Sequence, residues 1–158
     1  MKVESFREAF AYGGLQSLPD RAFAGTAGQN FEDAFYGCAA LTGVMPQSFD
    51  IHLSSTQTVN LAFTFQACPA LVTLAPGLFE TLMPNIASLY NTFNGCSSLT
   101  GNVSGLLTGT PACTDFRQMF SGCRNMTGDI NEIFTGSYPS GSNLLNLFSG
   151  CSRLTSRH

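Results

Sequence analysis

The sequence predicts an α/β solenoid, a right-handed superhelix of about six repeats of 25–30 residues with a ladder of parallel strands. Three observations predict it: a phenylalanine recurs at near-regular spacing, apolar residues keep fixed distances from it, and glycine and cysteine follow it. These phenylalanines, the anchors, are separated by 25, 30, 28, 27 and 28 residues: Phe10, Phe35, Phe65, Phe93, Phe120 and Phe148. Such a period indicates stacked coils, because each repeat has an apolar face that its neighbours must cover.

Fixed sequence columns surround the anchors. Four residues before each anchor stands an apolar residue: Phe6, Phe31, Leu61, Leu89, Phe116 and Leu144. Three residues after it stands a cysteine in five repeats, Cys38, Cys68, Cys96, Cys123 and Cys151, whereas the first repeat has Gly13-Gly14. Six residues after it come Leu41, Leu71, Leu99, Met126 and Leu154. Fourteen after it come Phe49, Phe79, Leu107 and Phe134, with Phe23 one position early.

Each column has a structural interpretation. Apolar residues four apart share one helix face, so each anchor is predicted to close a short helix. Two residues later, four repeats have a glycine: Gly37, Gly95, Gly122 and Gly150. Glycine adopts the positive φ that ends many helices, and Ala67 at this position predicts a different ending in its repeat. Segments such as 39–42 and 97–100 alternate and predict parallel strands of about three to five residues.

The repeat carries a family resemblance. Residues 93–101 have the pattern Phe-x-Gly-Cys-x-x-Leu-Thr-Gly, which resembles the BspA-like branch of the leucine-rich repeats. The form with a second phenylalanine after the strand is similar to residues 46–49 and 76–79. The resemblance implies a leucine-rich-repeat solenoid with a non-catalytic recognition or adhesion role, as in bacterial surface proteins and some phage and protozoan proteins. Ala67, Met126 and the first repeat without its cysteine depart from the pattern.

Composition bounds the class of protein. No linker interrupts the repeat, so one domain over residues 1–155 is expected. Only 11% of residues are charged, against about 25% in ordinary domains. A net charge of −3 gives no basic footprint for nucleic acid, and no stretch approaches the roughly 20 apolar residues of a membrane-spanning helix. Between Ile51 and Thr114 the one formal charge is Glu80, so self-association through these low-charge middle repeats is an open alternative.

The two ends of the sequence lead to a hypothesis about its origin. The first residues lack the apolar core of a secretory signal. The last three, residues 156–158, fall within a repeat and resemble a tag remnant. We therefore expect a fragment of a longer array, located at the cell surface, outside the cell or on a virion. If Met1 is the native start, a cytoplasmic location is expected instead.

The cysteines and the histidine give no sign of catalysis. The sequence has no Cys-x-x-Cys and no cysteine beside a histidine in a ligand pattern. Five of the six cysteines share one column, so buried free thiols are expected, with a disulfide or a metal site as the alternative. His52 lies in a Ser/Thr-rich segment and is expected to be a surface loop residue. Without a nucleophile–base constellation, neither an enzyme nor a cofactor is expected.

Charged residues are expected to be solvated. Glu32-Asp33 and the pair Asp129 and Glu132 lack the spacing of a calcium loop. Three arginines recur in the last repeats and form at most a modest basic patch: Arg117, Arg124 and Arg153. The sequence therefore predicts no metal site among these groups.

The candidate binding surface lies beside the inward-facing leucines. Residues five and seven positions after each anchor flank that leucine and are predicted to face outward along the strand. The candidate binding residues on this surface, the sheet face, are Thr42, Val72, Ser98, Thr100, Asn125, Thr127 and Arg153. We expect the sheet face to bind a protein or a glycan, although threonine also simply suits strands. Alternative functions are a scaffold subunit in an assembly or tail fibre, and a small phage protein that inhibits a host factor by docking.

Overall fold

The chain forms a solenoid of stacked coils joined by parallel strands. The computed structural model describes residues 3–24, 26–44, 49, 51, 53, 56–74, 85–107, 112–134 and 140–156. Its strands are β1 (Ser17–Leu18), β2 (Gly43–Val44), β3 (Val59–Asn60), β4 (Thr73–Leu74), β5 (Ile86–Ser88), β6 (Thr100–Asn102), β7 (Asn125–Asp129) and β8 (Leu154–Thr155). A short 3₁₀ helix, Ile130–Glu132, follows β7. The solenoid makes about four full turns. The repeat count therefore differs slightly from the predicted six.

The strands confirm the predicted parallel ladder, although β2 and β6 begin later than the predicted segments 39–42 and 97–100, and most strands have only two residues. One sheet has six strands in the order β1-β2-β4-β6-β7-β8, one from each repeat, and all its pairs are parallel. A second row, β3 paired with β5, precedes the anchors. Isolated bridges continue this row, from Ser5 through Asn30 to Asn60 and from Asp115 to Asn143.

The segment around each anchor is a chain of turns, which we call the turn ribbon. It comprises residues 6–12, 31–37, 61–67, 89–95, 116–122 and 144–150. At each of the five junctions between coils, the N–H groups at positions −4, −2, 0 and +2 from the anchor donate to carbonyls of the following coil, over 2.7–3.3 Å. The N–H groups at positions −1 and +1 donate three residues back within their own coil. The ribbon therefore divides its hydrogen bonds between turns and a ladder.

The prediction of a helix before each anchor is wrong. The residue two positions before the anchor has a positive φ, between 53° and 58°, in all six repeats: Glu8, Asp33, Phe63, Asn91, Gln118 and Asn146. A left-handed residue interrupts any α-helix. The apolar spacing of four has another origin here, because two successive turns of the ribbon return the side chain to the same inner face. The α part of the predicted fold class is thus replaced by turns.

The position two residues after the anchor has a positive φ as predicted. Gly37, Gly95, Gly122 and Gly150 have φ between 66° and 79°. The sequence predicts that Ala67 ends its turn differently. This prediction is wrong, because Ala67 adopts the same conformation with φ 56°. The cross-coil hydrogen bond from the Ala67 N–H to the Asn94 carbonyl, 2.8 Å long, fixes the backbone there whatever the side chain.

Stacked phenylalanine rings fill the core of the solenoid. Successive anchor rings have centroids 5.2–5.9 Å apart and planes within 7° of parallel. The four inner anchors are fully buried, and each contributes about 1.5–3 kcal/mol through burial. The column fourteen residues after the anchor closes the other side of the core with buried side chains: Phe23, Phe49, Leu107 and Phe134. Phe79 of this column lies outside the described residues.

Candidate functional site

The sheet face is built by alternation along the short strands and the residues just before them. Leu41, Leu71 and Leu99 are fully buried beneath it. Thr42 and Thr100, each one residue later, are exposed. The predicted inward and outward directions are therefore confirmed for this part of the sheet.

The register decides which candidate residues are neighbours. The Val72 N–H donates to the Thr42 carbonyl and the Thr100 N–H to the Val72 carbonyl, both over 2.9 Å, so Thr42, Val72 and Thr100 form a row joined by backbone bonds across three coils, although Thr100 lies opposite Thr73. At the next junction the alignment changes. Thr100 lies opposite Asn125, and Thr127 lies opposite Asn102. The row is thus continuous in hydrogen bonds, but its register shifts by one residue at Thr100 and shifts again in the next coil.

The threonine hydroxyls hold neighbouring coils together. Thr100 Oγ1 donates to the carbonyl of Val72 over 3.0 Å, and Thr42 Oγ1 donates to that of Gln16 over the same distance. In both cases this carbonyl also accepts the N–H of the same threonine. Thr127 Oγ1 donates to Gly101 in the same way, over 3.2 Å. The structural interpretation of the threonines is therefore supported, because their hydroxyl protons are used inside the stack.

Most of the remaining candidates are less open than the central row. Ser98 and Asn125 are half-buried, and Asn125 Nδ2 donates to the Ser97 carbonyl over 3.1 Å. Arg153 is exposed in the last coil, just before β8. Val72 is the exposed aliphatic side chain of the row, with 42% of its surface accessible.

The sheet face carries little charge. The strands β1, β2, β4 and β6 contain no charged residue. Asp129 ends β7, but it is buried and accepts a hydrogen bond from the Asn131 N–H, 2.9 Å away, at the start of the 3₁₀ helix. This surface therefore presents small polar groups and one exposed valine to a partner, and it exerts no strong electrostatic attraction.

Several acidic residues of the described ranges make local polar contacts. Glu32 pairs with Arg7 over 3.8 Å, and Glu132 accepts a hydrogen bond from Ser104 Oγ over 2.7 Å. Burial, followed by the carboxylates of Glu32 and Glu8, raises the pKa of Asp33. Within the described ranges no three His, Cys, Asp or Glu side chains are grouped as a metal site would need. His52 lies outside these ranges.

Arg117 belongs to the turn ribbon and does not reach the sheet face. Its guanidinium forms a 2.7 Å ion pair with Asp115 and lies 4.6 Å from the centre of the Tyr90 ring. Its hydrogen bond to Asp115 lowers the pKa of that carboxyl. Arg124 and Arg153 are exposed and lie four and five residues after their anchors, near the strands. The three arginines therefore do not act as one patch.

The cysteine column forms a ladder of buried thiols. All six cysteines are free, and five are buried, which confirms the expectation of core thiols. Each thiol of the column donates to the anchor carbonyl of the preceding coil over 2.9–3.2 Å: Cys38 to Phe10, Cys68 to Phe35, Cys96 to Phe65, Cys123 to Phe93 and Cys151 to Phe120. Burial raises the pKa of Cys68 to about 12 and that of Cys113 to about 11. These thiols stay protonated at neutral pH and are poor nucleophiles.

One structural column was missed from the sequence. Five residues before each anchor, a side-chain oxygen accepts a hydrogen bond from the N–H two residues later, over 2.9–3.4 Å. The six residues are Ser5, Asn30, Asn60, Ser88, Asp115 and Asn143. The signal was present, because every repeat has Ser, Asn or Asp at this position, and these side chains favour such turns.

Comparison with known proteins identified no similar protein. A scan against protein-family models, a search of curated proteins and a search of solved structures each found no match. In the part of the chain that the structure describes, no helix has the length and apolar character needed to cross a bilayer. The function is therefore argued from the surfaces of the solenoid.

Proposed function

We propose that this chain is a non-catalytic recognition or adhesion module of a bacterial surface or phage protein, and that it binds a protein or glycan through the sheet face. One observation carries the proposal: Thr42, Val72 and Thr100 form an exposed, uncharged row across three hydrogen-bonded coils. The resemblance to BspA-like leucine-rich repeats agrees with this role.

Rigidity supports recognition through this surface. The row is fixed by backbone hydrogen bonds of 2.9 Å, and the Thr100 hydroxyl also donates to the Val72 carbonyl over 3.0 Å. Below it, Leu71 and Leu99 are fully buried in the core. A surface held in this way loses little conformational freedom when a partner binds.

The chemistry of the sheet face points to a neutral partner. Its first four strands carry no charge, so long-range attraction contributes little to association. Val72 supplies an apolar contact, and the side chains around it are short. We expect a broad, complementary partner surface and an affinity that depends only weakly on salt.

The proposal is tested with labelled protein on an array of neutral oligosaccharides and on immobilised surface proteins of candidate host bacteria. The variant Thr42→Arg/Thr100→Arg places two charges in the row. A charge buried at an interface without a partner costs enough to weaken binding by at least about tenfold. Wild-type protein that binds neither class of surface would contradict the proposal.

A matched control carries the same added charge on the turn ribbon. Gln66→Arg/Ser121→Arg alters half-buried residues one position after their anchors, away from the strands. We expect this variant to bind like the wild type. Circular dichroism and thermal unfolding of both variants establish that the coils remain stacked. Binding lost in the ribbon variant and kept in the sheet-face variant would move the site to the turn ribbon.

A further inference from the structure

Phe63 differs from the other residues of its column in the turn ribbon. The residue two positions before the anchor has a positive φ in every repeat, and in the five other repeats it is polar: Glu8, Asp33, Asn91, Gln118 and Asn146. Asparagine and aspartate tolerate this conformation, whereas it is a genuine outlier for a bulky side chain. Phe63 adopts it with φ 58°, although its ring is half-buried and is not one of the core side chains. A residue that opposes its own backbone conformation without serving the core suggests a function.

Two neighbours extend the Phe63 ring into a cluster across three coils. The Tyr90 ring, one coil later, meets it edge-on, with centroids 4.9 Å apart and planes at 70°. The guanidinium of Arg117, in the coil after that, lies 4.6 Å from the centre of the Tyr90 ring. All three residues are half-buried, and their coils are interior ones with a further coil on each side. We call Phe63, Tyr90 and Arg117 the aromatic patch.

Arg117 brings hydrogen-bond donors to the aromatic patch without adding net charge. Its Nε and Nη2 donate to the two carboxylate oxygens of Asp115 over 2.8 and 2.7 Å, so the two charges balance each other. Within the described part of the chain, neither Arg117 Nη1 nor the Tyr90 hydroxyl forms a hydrogen bond. The Arg117 side chain is 39% exposed. The aromatic patch therefore combines apolar rings with polar groups that are available to a ligand.

Side-chain amides border the aromatic patch in the same coils. Asn91 follows Tyr90 in the chain, and Gln118 follows Arg117. Asn94 Nδ2 donates to Asn91 Oδ1 over 2.7 Å and to Gln118 Oε1 over 3.3 Å. An amide presents a donor and an acceptor side by side, and these hydrogen bonds hold the three amides in place. A fixed row of neutral polar groups thus adjoins the rings.

We propose that the aromatic patch and these amides bind a neutral oligosaccharide. The C–H groups on one face of a sugar ring pack on an aromatic ring, while its hydroxyls, each a donor and an acceptor, pair with amide, phenol and guanidinium groups. The balanced charges of Arg117 and Asp115 favour an uncharged ligand. Two half-buried rings give a small apolar area, which suits a sugar ring better than the apolar centre of a protein interface.

The aromatic patch is separate from the sheet face, so this inference does not rest on the proposed function. Its residues precede their anchors by two or three positions, whereas Thr42 and Thr100 follow theirs by seven. An oligosaccharide bound to the aromatic patch should therefore bind Thr42→Arg/Thr100→Arg like the wild type. Failure of the sheet face as a binding site and failure of the aromatic patch are distinguished by which variants lose which ligand.

The first test is Phe63→Asn, which introduces the residue that two other coils have at this position. Wild-type protein is screened on an array of uncharged oligosaccharides, and each bound oligosaccharide is titrated by calorimetry into both proteins. We expect Phe63→Asn to weaken binding by at least about tenfold. Its thermal midpoint should be unchanged or higher, because asparagine fits the positive φ. A ring kept for packing alone would give the reverse, a lower midpoint and unchanged binding.

A second variant and a matched control complete the test. Tyr90→Ala introduces the residue of the equivalent position one coil earlier, Ala62, and should lose binding while its circular dichroism stays that of the wild type. The control Tyr12→Gly removes an exposed ring from the first coil, introduces the glycine of later coils, and should bind like the wild type. The proposal would be overturned if the wild type bound no uncharged oligosaccharide, or if either patch variant bound like the wild type. Equal weakening in Tyr12→Gly or in Thr42→Arg/Thr100→Arg would also overturn it.

Discussion

The thiol of Cys96 donates a hydrogen bond to the carbonyl oxygen of Phe65, 3.1 Å away in the preceding coil. A carbonyl oxygen has two lone pairs, and in the turn ribbon one of them commonly accepts the N–H of the cysteine three residues later, as from Cys38 to Phe35. The cysteine thiol of the next coil donates to the second lone pair. Cysteine suits this position because it is both a small buried apolar side chain and a weak donor.

Replacing Cys96 by alanine should destabilise the solenoid. Cys96→Ala removes a fully buried sulfur and one cross-coil hydrogen bond, so we expect a loss of about 1–2 kcal/mol in the free energy of unfolding by urea. The control is Cys113→Ala. Cys113 is equally buried, but its thiol lies 3.4 Å from the carbonyl of Asp115, two residues away, and not in the cysteine column. Equal losses of unfolding free energy in the two variants would mean that the cross-coil hydrogen bond of Cys96 contributes nothing to stability.

The buried thiols predict a loss of stability in alkali. An unfolded thiol titrates near 9.0, whereas burial raises the pKa of Cys68 to about 12. Below the unfolded value both states are protonated and stability is flat. Above it, the unfolded state loses protons first, so stability falls by about 1.4 kcal/mol per pH unit for each such thiol until the folded pKa is reached.

This dependence is measured by urea unfolding under reducing conditions at several pH values from about 8 to about 10. Cys68→Ala removes one of these thiols. The free energy of unfolding should therefore decrease less steeply with pH in alkali, by the contribution of one thiol. The acid side of the curve should be the same in both proteins. A slope unchanged in Cys68→Ala would show that this thiol is not protected from ionisation in the folded state.

The sequence is sufficient to predict that the coils stack, but not to predict the backbone conformation within each coil. The spacing between Leu89 and Phe93 predicts that both face inward, and both are fully buried. The same spacing also predicts a helix, because a helix and a ribbon of turns both return a side chain to one face after four residues. Asn91, between them, has a φ of 55°. Its conformation is held by a 3.0 Å hydrogen bond from its N–H to Arg117 in the next coil, which no local pattern encodes.

The sequence predicts which residues of the sheet face point outward, but not which of them are paired across neighbouring strands. Thr100 and Thr127 occupy equivalent sequence positions, and both belong to the outer side of the sheet. The structure nevertheless pairs Thr127 with Asn102. The repeats differ in length by a few residues, and each strand settles where its backbone and hydroxyl bonds are best satisfied. That choice depends on the neighbouring coil, so sequence columns alone do not determine which outward residues meet.

The position two residues after the anchor offers a reciprocal test of backbone strain. Gly95→Ala should destabilise by about 1 kcal/mol, because a left-handed conformation is unfavourable for a residue with a Cβ. The added Cβ would lie 3.7 Å from the Cα of Ala67, an ordinary contact, so the cost is conformational and not steric. Ala67→Gly, in the adjacent coil, should stabilise by about 0.5–1 kcal/mol through relief of the same strain at φ 56°.

Thermal unfolding of the two variants measures these opposite shifts. The double variant, in which alanine and glycine exchange places, should lie near the wild type if the two positions are equivalent. A loss of stability in Ala67→Gly would indicate that the alanine methyl contributes packing that outweighs its strain.

The column of Ser, Asn and Asp residues five positions before the anchor should stabilise every coil. In the third repeat, Asn60 Oδ1 accepts a hydrogen bond from the N–H of Ala62 over 2.9 Å, and Ala62 is buried. Asn60→Ala leaves that N–H without a partner and should cost about 0.5–2 kcal/mol, as at a helix N-cap. Asn60→Ser keeps an acceptor, like Ser88 one coil later, and should recover most of the loss in urea unfolding. If the serine variant were as unstable as the alanine variant, the amide of Asn60, which donates to Glu32 over 3.5 Å, would be the important group instead.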